Sequence, residues 1–424
     1  MKNGFFVKKQ IIELPKLSTF KDNCKQKLFI PTHGNDGKQY LFLIDFNEKH
    51  VIQWHVDMTE WIDYLHKMFI HNAVLPAGSP KTAIYSRLVL HAAINWNNYI
   101  YVFPISGNFI LKLDCYSEEF EIICKDPFKI LCPTNNIHAS VLYYTQWDIR
   151  DTIKRVTSED NVPLDFCSLD LNNGVQKIYK TTLAPDTIHQ TYYNYNRNCI
   201  IAVEMPRFFK LPLTTEDSVE HRRNVVKAGV STAKLLVYHI DSDNLLKFNI
   251  ENGPAHFTQD FRDDSIFYFV CCNLSSAYCF GSGSIMKMKI TDKIQLSAVY
   301  KDDDLFRIPS LNCFSYKDSN LLCCAVFHNQ VHIINSDTMK IQKKIQLAPI
   351  QYHPDFSNGP YLYPNFDKTP YTVSPIENSP FLLLSSIWSV QLYDYAKDKI
   401  IARVNYNTNR CPLVTTGHSI FLKN

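Results

Sequence analysis

The stretch NYIYVFPISGNFILKLDCYSEEFEII, residues 98–123, decides the fold class. Short runs of aromatic, β-branched and aliphatic residues alternate with polar turns, Ser106-Gly107-Asn108 being the first. Such runs fit a pleated, half-buried surface, and Gly and Asn suit a tight reversal. The stretch therefore predicts a strand with an acid near its end, a turn, and a returning strand. QVHIINSDTMKIQKKIQL, residues 330–347, has the same shape.

Working outward, strand-like runs recur along the whole chain. Examples are QYLFLIDF (39–46), SVLYYTQW (140–147), CIIAVEM (199–205), AKLLVYHID (233–241), SIFYFVCCNL (265–274), NLLCCAVF (320–327) and FLLLSSIW (381–388). Polar turns part them: NDGK at 35–38, NWNN at 95–98, LNNG at 171–174 and YAKDK at 395–399. Many short strands at modest spacing predict an all-β sandwich, barrel or propeller. The repeated strand–turn–strand units favour propeller blades, although no sharp repeat of WD or kelch type is present. Helical spacing is confined to DMTEWIDYLHKMFIHNA (57–73), with Trp61, Leu65 and Phe69 on one face. SVEHRRNVVKAGVSTAK (218–234) reads as a loop or helical insertion. No Pro/Gly/Ser-rich linker divides the chain, which predicts one domain over 1–424.

The 424 residues include 44 Lys and Arg against 41 Asp and Glu, a net charge of +3. That balance predicts no nucleic-acid partner, which would need a concentrated basic face. The 13 cysteines include no CxxC, and the vicinal pairs Cys271-Cys272 and Cys323-Cys324 lie in apolar runs. They read as small buried hydrophobes in a reducing cytoplasm. No signal peptide and no apolar run of membrane-spanning length is evident. Nucleotide loops, GxSxG and HExxH are all missing.

Four histidines sit at the edges of strand-like runs: His138, His189, His256 and His418. Neutral imidazole is the commonest metal ligand in proteins. Their phrases are IHAS, HQTYYNYNRNCIIAVEMP (189–206), HFTQDFRDDSIFYFVCC (256–272) and CPLVTTGHSIFL (411–422). Successive intervals are 51, 67 and 162 residues. These phrases resemble the carotenoid cleavage oxygenases, over about residues 35–424. The resemblance implies a seven-bladed β-propeller with a small helical or loop cap. It also implies a non-haem Fe(II) held by His138, His189, His256 and His418. The activity implied is dioxygenase cleavage of a double bond in an apolar carotenoid, apocarotenoid or stilbene-type substrate by O₂, with peripheral membrane contact to collect it. Where the family has glutamates behind its ligands, this chain has Ser106, Arg307 and Gly359. Such supporting groups tune metal affinity by about 10–100-fold. Their replacement motivates a second expectation, a catalytically inactive propeller that serves as a binding or scaffold protein.

Overall fold

In the computed structural model the described residues are 7–13, 27–34, 38–45, 50–57, 59–71, 78, 90–97, 99–104, 109–114, 120–123, 126, 129–148, 162–184, 188–204, 232–251, 254–271, 283–302, 310–326, 330–347, 372–376, 379–385, 389–405, 413–415 and 420–422. They form an all-β structure with one helix. The chain comprises two compact units, residues 128–347 and residues 1–127 with 348–424.

The outer segments of the chain contribute the following elements. β1 (Val7–Glu13), β2 (Lys27–Gly34), β3 (Lys38–Asp45) and β4 (His50–Asp57) precede α1 (Thr59–His71). β5 (Leu90–Trp96), β6 (Tyr99–Pro104), β7 (Ile110–Asp114) and β8 (Phe120–Ile123) follow. Unit 128–347 begins with β9 (Lys129–His138), β10 (Val141–Asp148), β11 (Val162–Asp170) and β12 (Gln176–Ala184). It continues with β13 (Ile188–Asn194), β14 (Cys199–Glu204), β15 (Thr232–His239) and β16 (Asn244–Glu251). Next come β17 (Pro254–Gln259), β18 (Ile266–Cys271), β19 (Gly283–Ile290) and β20 (Ile294–Asp302). β21 (Ser310–Tyr316), β22 (Ser319–Val326), β23 (Gln330–Asn335) and β24 (Lys340–Gln346) close it. The first unit resumes with β25 (Thr372–Pro375), β26 (Phe381–Ser385), β27 (Ser389–Asp394) and β28 (Lys399–Asn405), then β29 (Leu413–Thr415) and β30 (Ile420–Leu422).

The arrangement is of β-propeller type, built from antiparallel meanders of four strands. The described residues form six sheets where seven blades were expected. The reason is local. β9–β12 and β13–β16 are joined by a parallel bridge, Thr134 to Thr191, and so form one eight-stranded sheet. The Thr145 and Thr191 hydroxyls, 3.0 Å apart and buried, hold the same junction.

Packing within unit 128–347 explains why its runs are continuously apolar. Phe267 and Phe269 of β18 pack on Ile201, Val203 and Val237 of the preceding meander. Tyr268 and Val270, on the opposite face of the same strand, pack on Leu322 and Cys324 of the next. Successive side chains alternate across a strand, so a strand sandwiched between two sheets must be apolar at every position. Cys323 and Cys324 are both fully buried, as their apolar setting predicts.

Three further features position everything else. First, the tight turns among the described residues of unit 128–347 lie at one end. β9 and β13 run parallel, and the first strands of successive meanders are tied at that end. The Asn194 amide donates to the Asp264 carbonyl (2.8 Å), and the Asn320 amide donates to Asp260 (2.7 Å). Second, outer strands carry bulges. Tyr179 in β12, Ser297 in β20, Gln342 in β24 and Ile401 in β28 are each an extra residue against the neighbouring strand. Third, β29 and β30 both pair with β2, Thr415 opposite Thr32 and Ile420 opposite Phe29. The ladder breaks between them at Ile30 and Pro31, and proline has no N–H to give.

The helix expected within 57–73 is α1, which buries Ile62 and Leu65. Of the insertion expected at 218–234, residues 218–231 lie outside the described residues. Thr232–Lys234 are not part of an insertion; they open β15, paired with Asn249–Glu251. No helix among the described residues is long and apolar enough to cross a membrane.

Candidate functional site

The structure brings two of the four histidines to one level and places a third elsewhere. His189 is the second residue of β13, an extra residue between the paired Ile188 and Gln190. His256 follows a similar irregularity in β17, after Pro254. The two strands are tied immediately beyond these positions. The Phe257 N–H donates to Gln190 Oε1 (2.9 Å), and both residues are buried. The backbones of His189 and His256 therefore stand side by side, 67 residues apart in sequence, at the end opposite the tight turns. His91 of β5 is likewise an extra residue, between Leu90 and Ala92, at the start of the first strand of its own sheet. A histidine at a strand start gives no sequence sign of the bulge beneath it, so His91 was not singled out above.

His138 lies at the other end of its strand. Thr134 is level with Thr191, so His138 is four residues beyond that level and His189 two residues before it. Bulges in both strands shorten this path, since Pro133 to His138 spans only Tyr144 to Val141 of β10, and at about 3.3 Å per residue the separation along the strands is on the order of 12 Å. His138 lies toward the tight-turn end, and the backbones of His189 and His256 toward the opposite end. It is exposed, and its ring stacks on Tyr195 with centroids 5.0 Å apart and planes 4° apart. His418 lies outside the described residues, as do Arg307, Gly359 and Ser106. Among the described residues no group of three or more His, Cys, Asp or Glu could hold a metal ion.

Around His138 the structure assembles aromatic rings. Tyr143 of β10 stacks on Tyr193 of β13 at 3.6 Å, and on Tyr179 of β12 at 6.3 Å. Burial pushes the Tyr143 hydroxyl well above its ordinary pKa. Cys132, behind this stack beside Thr145 and Thr191, is raised to about 12 by burial, so at neutral pH it is an inert thiol.

The turn end is held by charge. Asp260 is buried and accepts from the Tyr268 hydroxyl (2.7 Å), the Asn320 amide (2.7 Å) and the Arg262 N–H (2.8 Å). Arg262 reaches across to Asp337 of the next meander, and that contact holds the Asp337 carboxyl below its ordinary range. Arg197 meets Asp264 in the same way at 3.4 Å. The Asn320–Asp260, Arg262–Asp337 and Arg197–Asp264 contacts each join one meander to its successor, so this network fastens sheets.

No protein-family model matches the chain, and no curated protein is significantly similar to it.

Proposed function

We propose that this protein is a binding or scaffold module of β-propeller type that does not assemble the four-histidine iron centre. The observation that supports this reading is the place of His138, toward the tight-turn end of its strand and stacked on Tyr195, whereas the backbones of His189 and His256 lie toward the opposite end. With Ser106, Arg307 and Gly359 in place of supporting carboxylates, the chain also lacks the groups that would orient metal-bound imidazoles. The test is metal analysis of protein purified without chelator and reconstituted with Fe(II). We expect less than about 0.2 iron per chain, and no change in metal content for His138→Ala.

A second reading draws on the level placement of His189 and His256. It keeps a divergent Fe(II) dioxygenase that cleaves an apolar carotenoid or stilbene-type double bond with O₂. His189, His256 and His418 would be ligands, and a fourth ligand would replace His138. Near-stoichiometric iron that disappears in His189→Ala and His256→Ala decides for this reading.

A further inference from the structure

In unit 128–347 one position repeats that neither reading uses. The first hairpin of each meander carries a planar side chain at its tip: His138, Tyr195, Phe261 and Tyr316. Tyr195 is 53% exposed and Phe261 54%, on turns that the Arg197–Asp264 contact draws together. His138 is exposed and Tyr316 half-buried. Single exposed aromatics are ordinary on protein surfaces. Four on consecutive meanders, all at one end, make a row of planar side chains in which His138 stacks on Tyr195.

The charge beside this row is acidic, although the whole chain is +3. Asp263, Asp264 and Asp318 stand on these turns, and Asp292 and Asp337 on the third-hairpin turns beside them, against Arg197, Arg262, Lys293 and Lys317. Arg262 and Arg197 are engaged by Asp337 and Asp264. Asp292 and Asp318 lie on exposed turn positions. Exposed rings beside uncompensated carboxylates suit cations, which bind over ring faces and are steered by complementary charge. A single-stranded nucleic acid would use the same rings but requires a basic groove.

We propose that this end of unit 128–347 docks an extended, Arg/Lys-bearing peptide segment of a partner protein. Its cationic groups lie over Tyr195 and Phe261, and its charge is met by Asp292 and Asp318. The proposal rests on reading the protein as a binding module and names the surface that binds.

The test is fluorescence anisotropy with a labelled alternating Arg-Gly peptide, beside an alternating Glu-Gly peptide and oligo-dT. Wild-type protein is expected to bind the Arg-Gly peptide saturably and to ignore the other two. Tyr195→Ala/Phe261→Ala should weaken binding at least about tenfold, with its unfolding midpoint retained. Asp292→Asn/Asp318→Asn should weaken binding and flatten its salt dependence. Four results would overturn the proposal: no saturable binding by wild type, equal binding by the aromatic variant, preference for Glu-Gly or oligo-dT, or self-association of wild type that the aromatic variant abolishes. None of these bears on iron content, which tests the binding-module reading separately.

Discussion

Ala139 and Ser140 form the two-residue turn after His138 with φ of 47° and 67°. Both sit in the left-handed region, where a side chain other than that of Gly, Asn or Asp is strained. Lys317 and Asp318 repeat the geometry after Tyr316, at 46° and 62°. Replacing Ala139-Ser140 by Asn-Gly should stabilise unit 128–347 by about 1–2 kcal/mol, read as a higher urea midpoint with an unchanged slope. Asp260 illustrates the opposite case. Asp260→Ala would leave the Tyr268 hydroxyl and the Asn320 amide buried without their acceptor. A loss of about 3 kcal/mol is expected in the same measurement. His138 also marks a limit of reading residues one at a time. A histidine before a small-residue turn looks the same in sequence whether it points to a metal or caps a hairpin. The bridge between Thr134 and Thr191 fixes which end of the sheet His138 occupies, and no local pattern encodes it.

At the scale of elements, the strands were legible because their demands are local and repeated. IFYFVC (266–271) is apolar throughout since β18 is covered on both faces. LNNG supplies a left-handed Gly174 (φ 73°) with the Asp170 carboxylate bonded to the Asn172 N–H and the Asn173 amide. The grouping of strands into sheets was less legible, because a single parallel bridge turns two meanders into one sheet. Contacts between meanders are testable through pH. The folded Asp337 carboxyl is depressed, chiefly by its hydrogen bond from Arg262. A depressed carboxyl contributes stability above its unfolded pKa, near about 3.9, and loses it as pH falls through the lower folded value. The pair is largely exposed, at 45% and 52%, so screening holds its worth to about 0.2–1 kcal/mol. Asp337→Asn should therefore lower the melting temperature slightly at pH 7 and leave it unchanged once both carboxyl forms are protonated near pH 2. An equal difference at both ends of a pH series of thermal melts would exclude this pairing as the cause.

For the molecule as a whole, the chain's two ends meet in one sheet. β29 and β30 cover the edge of β2 that β3 leaves open. Removing residues 411–424 should expose that edge and convert monodisperse protein into soluble oligomers or precipitate, as seen by size-exclusion chromatography with light scattering. If the truncated chain elutes and melts like the intact one, the closing strands carry no stability.

The bulges at Tyr179, Ser297, Gln342 and Ile401 bear on a hazard that such a molecule faces at every perimeter strand. A straight outer strand is a template on which another chain can continue the ladder, and many such edges on one particle would let particles polymerise into filaments. One surplus residue in each of these four outer strands interrupts the template. Exposed Ile178, Leu183 and Leu296 can then remain on the perimeter at little risk. Deleting a surplus residue would leave the core sequence intact while making the protein prone to fibre growth.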